Sequence, residues 1–435
     1  MKALALVIVA FAFWKNIEAE RRPPENMNVA ETWLHTLLFI ARITPTILVR
    51  RLLGFKSKTS NWNFFEDLAM RTVRFHGKLG DVHVPNVFLN GLSALARIAS
   101  KFDGLVIEDI SADRLGFGPN SSGRQKFGKG IECTAHWMTL TSDIPFGTSD
   151  VIVKFYIHGG GFCVGNSLMY LAAHTKFLRE MREQGVTNVA VLSIEYPLAP
   201  KVKFPIPIET CFHVYDHLVR EKQIIKPENI ILAGDSAGGS IALNIGLRAT
   251  RWGCAGIGLI SPWVAHELNT ISQHENKDID LIGGAQLIEK YQDAHVIGGK
   301  EKSLELESLE FLKNEVPFSV LPPIWLSVGE FEVFKDDILH LAKTLESHDV
   351  PISLHFANEV PHIYPMLWPL FYKQSSKALQ DFSQFCAERT SKAKLENQRL
   401  LGNSNQSQQV SKLKKVLSST DISNQVFQNL LKEIV

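Results

Sequence analysis

Ser236 stands in a setting that could make its hydroxyl a nucleophile. An apolar run, residues 230–233, leads into Gly-Asp-Ser-Ala-Gly at residues 234–238, which fits the G-x-S-x-G pattern. In this pattern a strand turns sharply into a helix and holds the serine in a strained conformation at the bend. Gly234 and Gly238 leave out side chains that would collide there. The alternative for the pentapeptide alone is an ordinary glycine-rich turn between a strand and a helix.

A second glycine-rich stretch, His158 to Phe162, could serve the same chemistry. It reads HGGGF and follows a β-branched and aromatic run, Val151 to Ile157. Three successive glycines let backbone N–H groups approach an oxyanion without obstruction by side chains. The alternative is a phosphate-binding loop, but neither a following Lys-Ser/Thr nor GxGxxG spacing is present. The two stretches together predict acyl transfer through a serine.

Strands and helices that would position these residues begin after Asp150. Six apolar runs predict strands: DVIVKFYIHGGGF, NVAVLSIEYPLAP, NIILAGDSAGGS, CAGIGLISPW, PPIWLSVGE and PISLHFANEVPH. Helical spacing is found between most of them, at Leu168–Gln184, Ile208–Arg220, Ala237–Ala249 and Lys335–Ser347. Nearly continuous apolar strands alternating with helices predict an α/β fold, with a mostly parallel sheet covered by helices on both faces.

Composition excludes several other classes of protein. The 435 residues contain 46 Lys and Arg against 45 Asp and Glu, a formal net charge of +1. A nucleic-acid-binding protein usually carries a concentrated basic face instead. The five cysteines form no CxxC pair, which argues against a zinc site or a disulfide framework.

The order of these motifs resembles that of a known family. HGGGF precedes GDSAGG, with EYPLAP between them, as in the hormone-sensitive-lipase branch of the α/β-hydrolase fold. FPIPIE and the SPW after the serine add to the resemblance, which covers about 150–389. It implies a serine carboxylic ester hydrolase without a cofactor or metal. It also implies an oxyanion hole made by the N–H groups of Gly160, Gly161 and Ala237, with His158 and Gly159 bracing the loop.

The resemblance also implies a base and an orienting acid, in the chain order Ser, Asp/Glu, His. His362, in NEVPHIYPM after the last predicted strand, matches the family's loop histidine, whereas His355 lies within that strand and is expected to be packed. Glu332 stands at the family's acid position, where aspartate is usual. Three other carboxylates nearby remain rivals for this role: Glu330, Asp336 and Asp337.

The N-terminus predicts a membrane association. Lys2 precedes an apolar run, Ala3 to Trp14, that has the length of a signal-peptide core and is shorter than a full membrane span. A second apolar segment, Trp33 to Phe55, contains Arg42 and Pro45. It suits an interfacial amphipathic segment, or alternatively a helix covering the catalytic domain. Charges on both sides of the first run do not decide its orientation.

Four regions are expected along the chain. Residues 1–20 form a signal anchor or signal peptide, and residues 21–149 a membrane-proximal segment and helical cap that includes NFFEDLAMRTVRF and VFLNGLSALARIA. Residues 150–390 form the catalytic domain. Residues 391–435 form a polar, solvated tail whose last turns, 423–435, could make a short amphipathic helix.

The anchor, the HGGG loop, the glutamate and the length together resemble the fungal steryl acetyl hydrolases. That resemblance implies sterol acetate substrates, an endoplasmic-reticulum membrane and a lumenal catalytic domain. Asn120 in NSS and Asn405 in NQS are candidate glycosylation acceptors there. A microsomal arylacetamide deacetylase or short-chain carboxylesterase is the alternative enzyme. The alternative from another functional class is a non-catalytic small-molecule receptor with the same fold. The presence of His362 argues against this alternative. The sequence does not indicate the oligomeric state.

Overall fold

A computed structural model describes residues 29–54, 59, 61–78, 83–128, 130–249, 253–265, 269–295 and 318–417. The predicted signal anchor within residues 1–20 and the predicted helix at 423–435 lie outside the described residues.

The centre of the molecule is an eight-stranded sheet with the order β1-β2-β4-β3-β5-β6-β7-β8. Strands β3 to β8 run parallel to one another, while β2 is antiparallel to both β1 and β4. The strands are β1 (Val106–Ile110), β2 (Thr134–Thr139), β3 (Ile152–Ile157), β4 (Val189–Glu195), β5 (Ile230–Asp235), β6 (Gly256–Ile260), β7 (Ile324–Gly329) and β8 (Ile352–Ala357). The predicted α/β fold with a mostly parallel sheet is confirmed.

Helices cover both faces of the sheet, which explains why its central strands are almost wholly apolar. In β3 every residue is buried, and successive side chains enter opposite cores: Val153 and Phe155 pack on one face, Ile152 and Tyr156 on the other. The helices are α1 (Val29–Leu52), α2 (Phe64–Lys78), α3 (His83–Phe102), α4 (Ser122–Phe127), α5 (Leu171–Glu183), α6 (Ile206–Asp216), α7 (Ala237–Arg248), α8 (Ile271–Asn276), α9 (Ala285–His295), α10 (Lys335–Ser347) and α11 (Tyr372–Leu417).

The sheet begins earlier in the chain than the sequence predicted. Residues 21–149 were expected to form a membrane-proximal segment and helical cap, yet β1 and β2 lie within them at one edge of the sheet. Strand β2 pairs with β4 from Thr134 opposite Glu195 to Met138 opposite Val191. Charged and exposed residues interrupt the apolar pattern of β1, because an edge strand with a solvated face alternates polar and apolar residues. The boundary proposed at residue 150 therefore cuts through the sheet.

Three N-terminal helices, α1 to α3, lie ahead of the sheet, and both cap segments expected to be helical are helices. The segment Trp33–Phe55 is mostly helix α1, which packs against α2 and α3. The rings of Phe39 and Phe75 stack at 4.2 Å between centroids. By length and composition, Ala30–Leu52 is also apolar enough to cross a membrane. Residue 391 is not an element boundary, because α11 continues through it to Leu417.

The carboxyl ends of four parallel strands carry the predicted chemistry. HGGGF follows β3, Ser236 follows β5, Glu332 lies three residues after β7 and His362 five residues after β8. Because the carboxyl ends of parallel strands meet at one edge of the sheet, residues distant in sequence come together there.

Candidate active site

Ser236 lies at a strained bend between β5 and α7. Its φ is 51° and its ψ −123°, a conformation that L-residues rarely adopt. The bend is tied to β6, since the Ser236 N–H donates to Ile260 O at 3.0 Å and the Trp263 N–H donates to Ser236 O at 3.0 Å. A Cβ at Gly238 would collide with the carbonyl oxygen of Ile157, so only glycine fits there. The structure thus gives the pentapeptide the sharp turn that the pattern predicted.

Asp235, which the sequence did not single out, ties the serine bend to the glycine loop. Its buried carboxylate accepts hydrogen bonds from Tyr156 Oη at 2.6 Å, Tyr170 Oη at 2.8 Å and the Gly159 N–H at 2.9 Å. Burial raises the pKa of Asp235, while these hydrogen bonds act in the opposite direction. Its position directly before the serine, at the buried end of a strand, was the signal that could have revealed it.

The glycine loop presents its backbone to the space above Ser236. Gly160 has a φ of 105° and Gly161 one of 58°, and both line the same cavity as the serine. Among the described residues, none accepts a hydrogen bond from the N–H of Gly160 or Gly161. Ala237 is the first residue of α7, so its N–H has no partner within the helix. The amides of Gly160 and Gly161, two of the three predicted oxyanion-hole donors, therefore lie at the cavity, while Ala237 is buried directly after the serine.

His158 packs beneath this loop. Its ring stacks on Tyr196 at 4.4 Å between centroids, and His158 Nδ1 lies 2.8 Å from Gly159 O. The Tyr196 hydroxyl donates to His158 O at 2.9 Å. These contacts are buried beneath the loop and fix its backbone.

Glu332 is the carboxylate that reaches the imidazole of His362. Glu332 Oε2 lies 2.9 Å from His362 Nδ1, and both side chains are buried. Glu332 Oε1 accepts hydrogen bonds from the Ser261 hydroxyl at 3.2 Å and from the Gly329 N–H. The glutamate thus spans the distance at the position where the resembled family has aspartate.

The three rival carboxylates have other partners. Glu330 accepts a hydrogen bond from the Glu359 N–H at 2.8 Å. Asp336 accepts one from the Ser272 N–H at 2.8 Å, and Asp337 one from Gln273 Nε2 at 3.3 Å. Asp336 and Asp337 lie in the first turn of α10, where the helix dipole favours carboxylates. His355 stays in β8 and pairs with Asp381 at 2.7 Å.

Burial acts in opposite directions on the pKa values of the buried pair. It raises the pKa of Glu332 to about 8, against hydrogen bonds from Gly329 and Ser261 that lower it. It also lowers the pKa of His362, against the carboxylates of Asp280 and Asp235, which raise it. An imidazole with a lowered pKa is neutral near pH 7 and so can accept a proton from a serine.

Asp280, also missed from the sequence, holds together the two turns that carry Glu332 and His362. Its Oδ1 accepts a hydrogen bond from the His362 N–H at 3.0 Å, and its Oδ2 accepts one from the Val333 N–H at 2.7 Å. Burial raises the pKa of this carboxyl to about 6. A lone carboxylate between Ile279 and Leu281 was the only signal in the sequence, and such a residue is ordinarily read as part of a loop.

Ser236 and His362 face the same cavity. The Nε2 atom of His362 is buried and has no hydrogen-bond partner among the described residues. In this structure no hydrogen bond joins it to the Ser236 hydroxyl within the part of the chain described. Catalytic hydrogen bonds are often long in ligand-free enzymes and tighten when substrate binds. A substrate in the cavity would thus meet both the serine hydroxyl and the free imidazole nitrogen.

The cavity above Ser236 has a volume of about 310 Å³ and mostly apolar walls. Val73 of α2, Leu89 and Leu92 of α3 and Ile288 of α9 contribute to it. The lining among described residues includes no Lys or Arg. Both ring nitrogens of His76 are engaged, Nε2 with the Thr36 hydroxyl at 2.8 Å and Nδ1 with Thr72 O at 2.8 Å, so this residue adds little polarity.

Comparisons with known proteins support the α/β-hydrolase fold. Residues 154–366 match the profile of a family with the alpha/beta hydrolase fold. An esterase of Acinetobacter venetianus is 28% identical over 244 residues, which cover 53% of this chain and 73% of that protein.

Solved structures share the fold. A bacterial heroin esterase superposes with a TM-score of 0.58 at 22% identity, covering 71% of this chain and 92% of that chain. A hormone-sensitive lipase from a metagenome library superposes with a TM-score of 0.56 at 19% identity, covering 75% of this chain and 98% of that chain. A hyperthermophilic esterase from the archaeon Pyrobaculum calidifontis superposes with a TM-score of 0.57 at 21% identity, covering 72% of this chain and 92% of that chain. The chain is thus a hydrolase with the α/β-hydrolase fold, and its structural neighbours include the hormone-sensitive-lipase branch.

Proposed function

We propose that this carboxylic ester hydrolase removes acetyl or other short acyl groups from bulky apolar alcohols, with sterol acetates as the best candidates. The observation that carries the proposal is the cavity above Ser236. Its volume of about 310 Å³ falls within the range of small-molecule sites, and its walls offer apolar surface with few polar groups. Such a site favours an uncharged, hydrophobic substrate over a polar or anionic one.

In the proposed reaction Ser236 is the nucleophile, His362 the base and Glu332 the orienting acid. His362 Nε2 takes the proton of the Ser236 hydroxyl as the oxygen attacks the ester carbonyl. The N–H groups of Gly160, Gly161 and Ala237 stabilise the oxyanion. Glu332 accepts the Nδ1–H of the imidazole, which fixes its tautomer and stabilises its charged form. The protonated imidazole then gives its proton to the leaving alcohol, and water releases the acyl group by the same route.

The setting we propose is the endoplasmic-reticulum membrane, with the catalytic domain in the lumen and the N-terminus as the attachment. Helix α1, apolar and close to the N-terminus, supports attachment to a membrane. Asn120 lies exposed in a turn, as a glycan requires, while Asn405 lies on the part of α11 whose side chains are not described. If the domain is lumenal, we expect endoglycosidase treatment of the microsomal protein to change its electrophoretic mobility, and Asn120→Gln to reduce that change. An electrophoretic mobility that the treatment leaves unchanged in both proteins would refute lumenal glycosylation at this residue.

Side-by-side hydrolysis of a steryl acetate, an aryl acetamide and p-nitrophenyl acetate tests the substrate class. We expect the steryl acetate to be cleaved with the highest kcat/KM and Ser236→Ala to abolish all cleavage. Faster cleavage of the amide would favour the arylacetamide deacetylase alternative. A wild type no faster than Ser236→Ala on every ester, while still binding sterol, would instead favour a receptor.

A cavity-filling variant, Leu89→Trp, tests whether the apolar cavity sets this preference. We expect it to lower kcat/KM for the steryl acetate by on the order of tenfold or more. The indole would crowd a sterol bound in the cavity, and overpacking of this kind costs about 1–3 kcal/mol. Cleavage of p-nitrophenyl acetate is expected to change little. Leu354→Trp, on the exposed side of β8, is the matched control. Equal losses on both esters would contradict the assignment of the cavity to the alcohol.

A further inference from the structure

Helix α1 has its polar and apolar sides reversed for a helix in water. Thr36 is 1% exposed and its hydroxyl hydrogen-bonds within the helix bundle, to Thr32 O at 2.7 Å and to His76 of α2 at 2.8 Å. Six of its large aliphatic residues point outward, with Leu37 at 61% exposure, whereas Ile47 is buried. A water-facing helix would bury the leucines and expose the threonines. The exposed aliphatic residues of α1 are Leu34, Leu37, Leu38, Leu48, Val49 and Leu52.

Helix α3 shows the same reversal. Ser93 and Ser100 are buried, at 5% and 4% exposure, while Leu95 is 62% and Phe102 90% exposed. With Leu92 and Ile98, the exposed residues recur every three or four positions and form one stripe along the helix. Small polar residues at helix contacts and large apolar residues outside are typical of helices that face lipid.

The two exposed stripes lie on helices that pack against each other. The ring of Trp33 on α1 packs directly over the backbone of Gly91 on α3, so close that a Cβ at Gly91 would lie 3.0 Å from it. Leu34 and Leu92 are the next residues after these two contacts. We call the exposed apolar residues of α1 together with Leu92, Leu95, Ile98 and Phe102 of α3 the outer apolar face.

The outer apolar face reaches the mouth of the catalytic cavity. Leu92 is 42% exposed and also lines the cavity above Ser236. Val73 of α2 is likewise both exposed and part of the cavity lining. An apolar molecule could therefore pass from the outer apolar face into the cavity over the side chains of Leu92 and Val73.

The charges on these helices favour phosphate headgroups. Helix α3 has no Asp or Glu and carries Lys101 and Arg97, of which Arg97 pairs with Asp109 of β1 at 2.8 Å. Helix α1 has one acidic residue, Glu31, against three arginines. Basic residues near an apolar helix face add attraction to the negative surface of a membrane, about 1 kcal/mol per residue close to anionic lipids.

We propose that the outer apolar face docks into the surface of a lipid bilayer, so that an apolar ester enters the catalytic cavity directly from the membrane. The docking is separate from any attachment by residues 1–20 and positions the cavity mouth against the lipid. Only the second half of the proposal, transfer of the substrate, rests on the proposed function.

A fluorescent probe at one residue tests the docking in the full chain. Leu95→Cys, labelled with an environment-sensitive fluorophore, reports on the outer apolar face. Leu354→Cys on β8, which replaces another exposed leucine, is the control. With vesicles of phosphatidylcholine and phosphatidylserine, we expect the label at position 95 to shift to shorter wavelength and to be quenched by brominated lipid. The label at position 354 is expected to change in neither way.

Two outcomes would overturn the docking. Vesicle-bound protein whose label at position 95 stays in water would mean that only another part of the chain is attached. A label at position 95 that is already shielded without vesicles, and becomes exposed on dilution of the protein, would mean that a second copy of the chain covers the face.

Activity on two esters tests the transfer of substrate. The double variant Leu95→Glu/Ile98→Glu places two charges on the outer apolar face but leaves the cavity lining intact. We expect it to hydrolyse dissolved p-nitrophenyl acetate at the wild-type rate and a vesicle-borne steryl acetate at least about tenfold more slowly, because each lost leucine or isoleucine contact weakens the partition. Leu354→Glu/Phe356→Glu is the control, and equal rates on vesicles for both double variants would refute transfer through this face. If wild type cleaves neither ester, the proposed function fails while the fluorescence result still decides the docking.

Discussion

Replacing Asp280 by asparagine tests whether the two turns of the active site depend on one buried carboxylate. Asp280 accepts the N–H of His362 at 3.0 Å and of Leu281 at 2.7 Å with one oxygen, and the N–H of Val333 at 2.7 Å with the other. Asparagine keeps one acceptor oxygen but turns an NH₂ group toward a backbone N–H. At least one buried donor then loses its partner, in the turn of either Glu332 or His362.

The size of the effect follows from the lost hydrogen bond. A buried donor left without a partner costs about 1–3 kcal/mol. If the resulting misplacement of the catalytic groups raises the activation free energy, each 1.4 kcal/mol or so of that increase slows the reaction about tenfold. We therefore expect kcat to fall by about 10- to 100-fold. KM is expected to change little, because Asp280 lies behind the imidazole and its loss leaves the cavity walls in place.

The pH profile distinguishes a positioning role from a loss of folding. The Asp280 carboxylate raises the pKa of His362, so its removal lowers that pKa further. We expect the acidic limb of kcat/KM to move to lower pH in Asp280→Asn, as measured by initial rates on p-nitrophenyl acetate from about pH 5 to 9. Asp278→Asn, exposed and two residues away, is the control. An unchanged kcat, or a loss that follows only the unfolded fraction with the limb unmoved, would refute this reasoning.

Three further predictions concern the buried groups. Ser236→Ala is expected to lower kcat by at least about 10⁴-fold with the fold intact, and a smaller loss would point to another nucleophile. His362 becomes neutral above its lowered pKa, whereas Glu332 becomes charged only near its raised pKa of about 8. We therefore expect kcat/KM to keep rising with pH up to about pH 8–9. A profile that is flat above about pH 6.5 would contradict the raised pKa of Glu332. Burial lowers the pKa of Lys154 on β3 from 10.5 to about 7, so the unfolded chain binds one more proton between those values and this group makes stability rise with pH. Urea titrations of wild type and Lys154→Met measure this effect as the difference between their free energies of unfolding. We expect that difference to shift in favour of wild type by about 1 kcal/mol per pH unit from pH 7 to 9. A difference that does not change with pH would show that the lysine is charged in the folded protein.

Local residue order determined a large part of this protein. Strand β5 followed by Gly-Asp-Ser-Ala-Gly, and the glycines after β3, set the sharp bend and the bare loop, because those conformations depend on short-range sterics. The helix Lys335–Ser347 has the bounds that the apolar spacing predicted. The choice of Glu332 rested on resemblance, with three rivals left open.

Contacts between residues far apart in sequence decided the rest. Only the folded chain shows that Glu332 rather than Glu330, Asp336 or Asp337 reaches His362, and that Asp280 joins the two turns, because a hydrogen bond across 82 residues leaves no local pattern. Strands β1 and β2 became visible only through the pairing of β2 with β4 and of β1 with β2, since a half-exposed strand has a weak apolar signal. The reversed sides of α1 and α3 likewise depend on which face each helix packs inward, and spacing alone gives a stripe but not its direction.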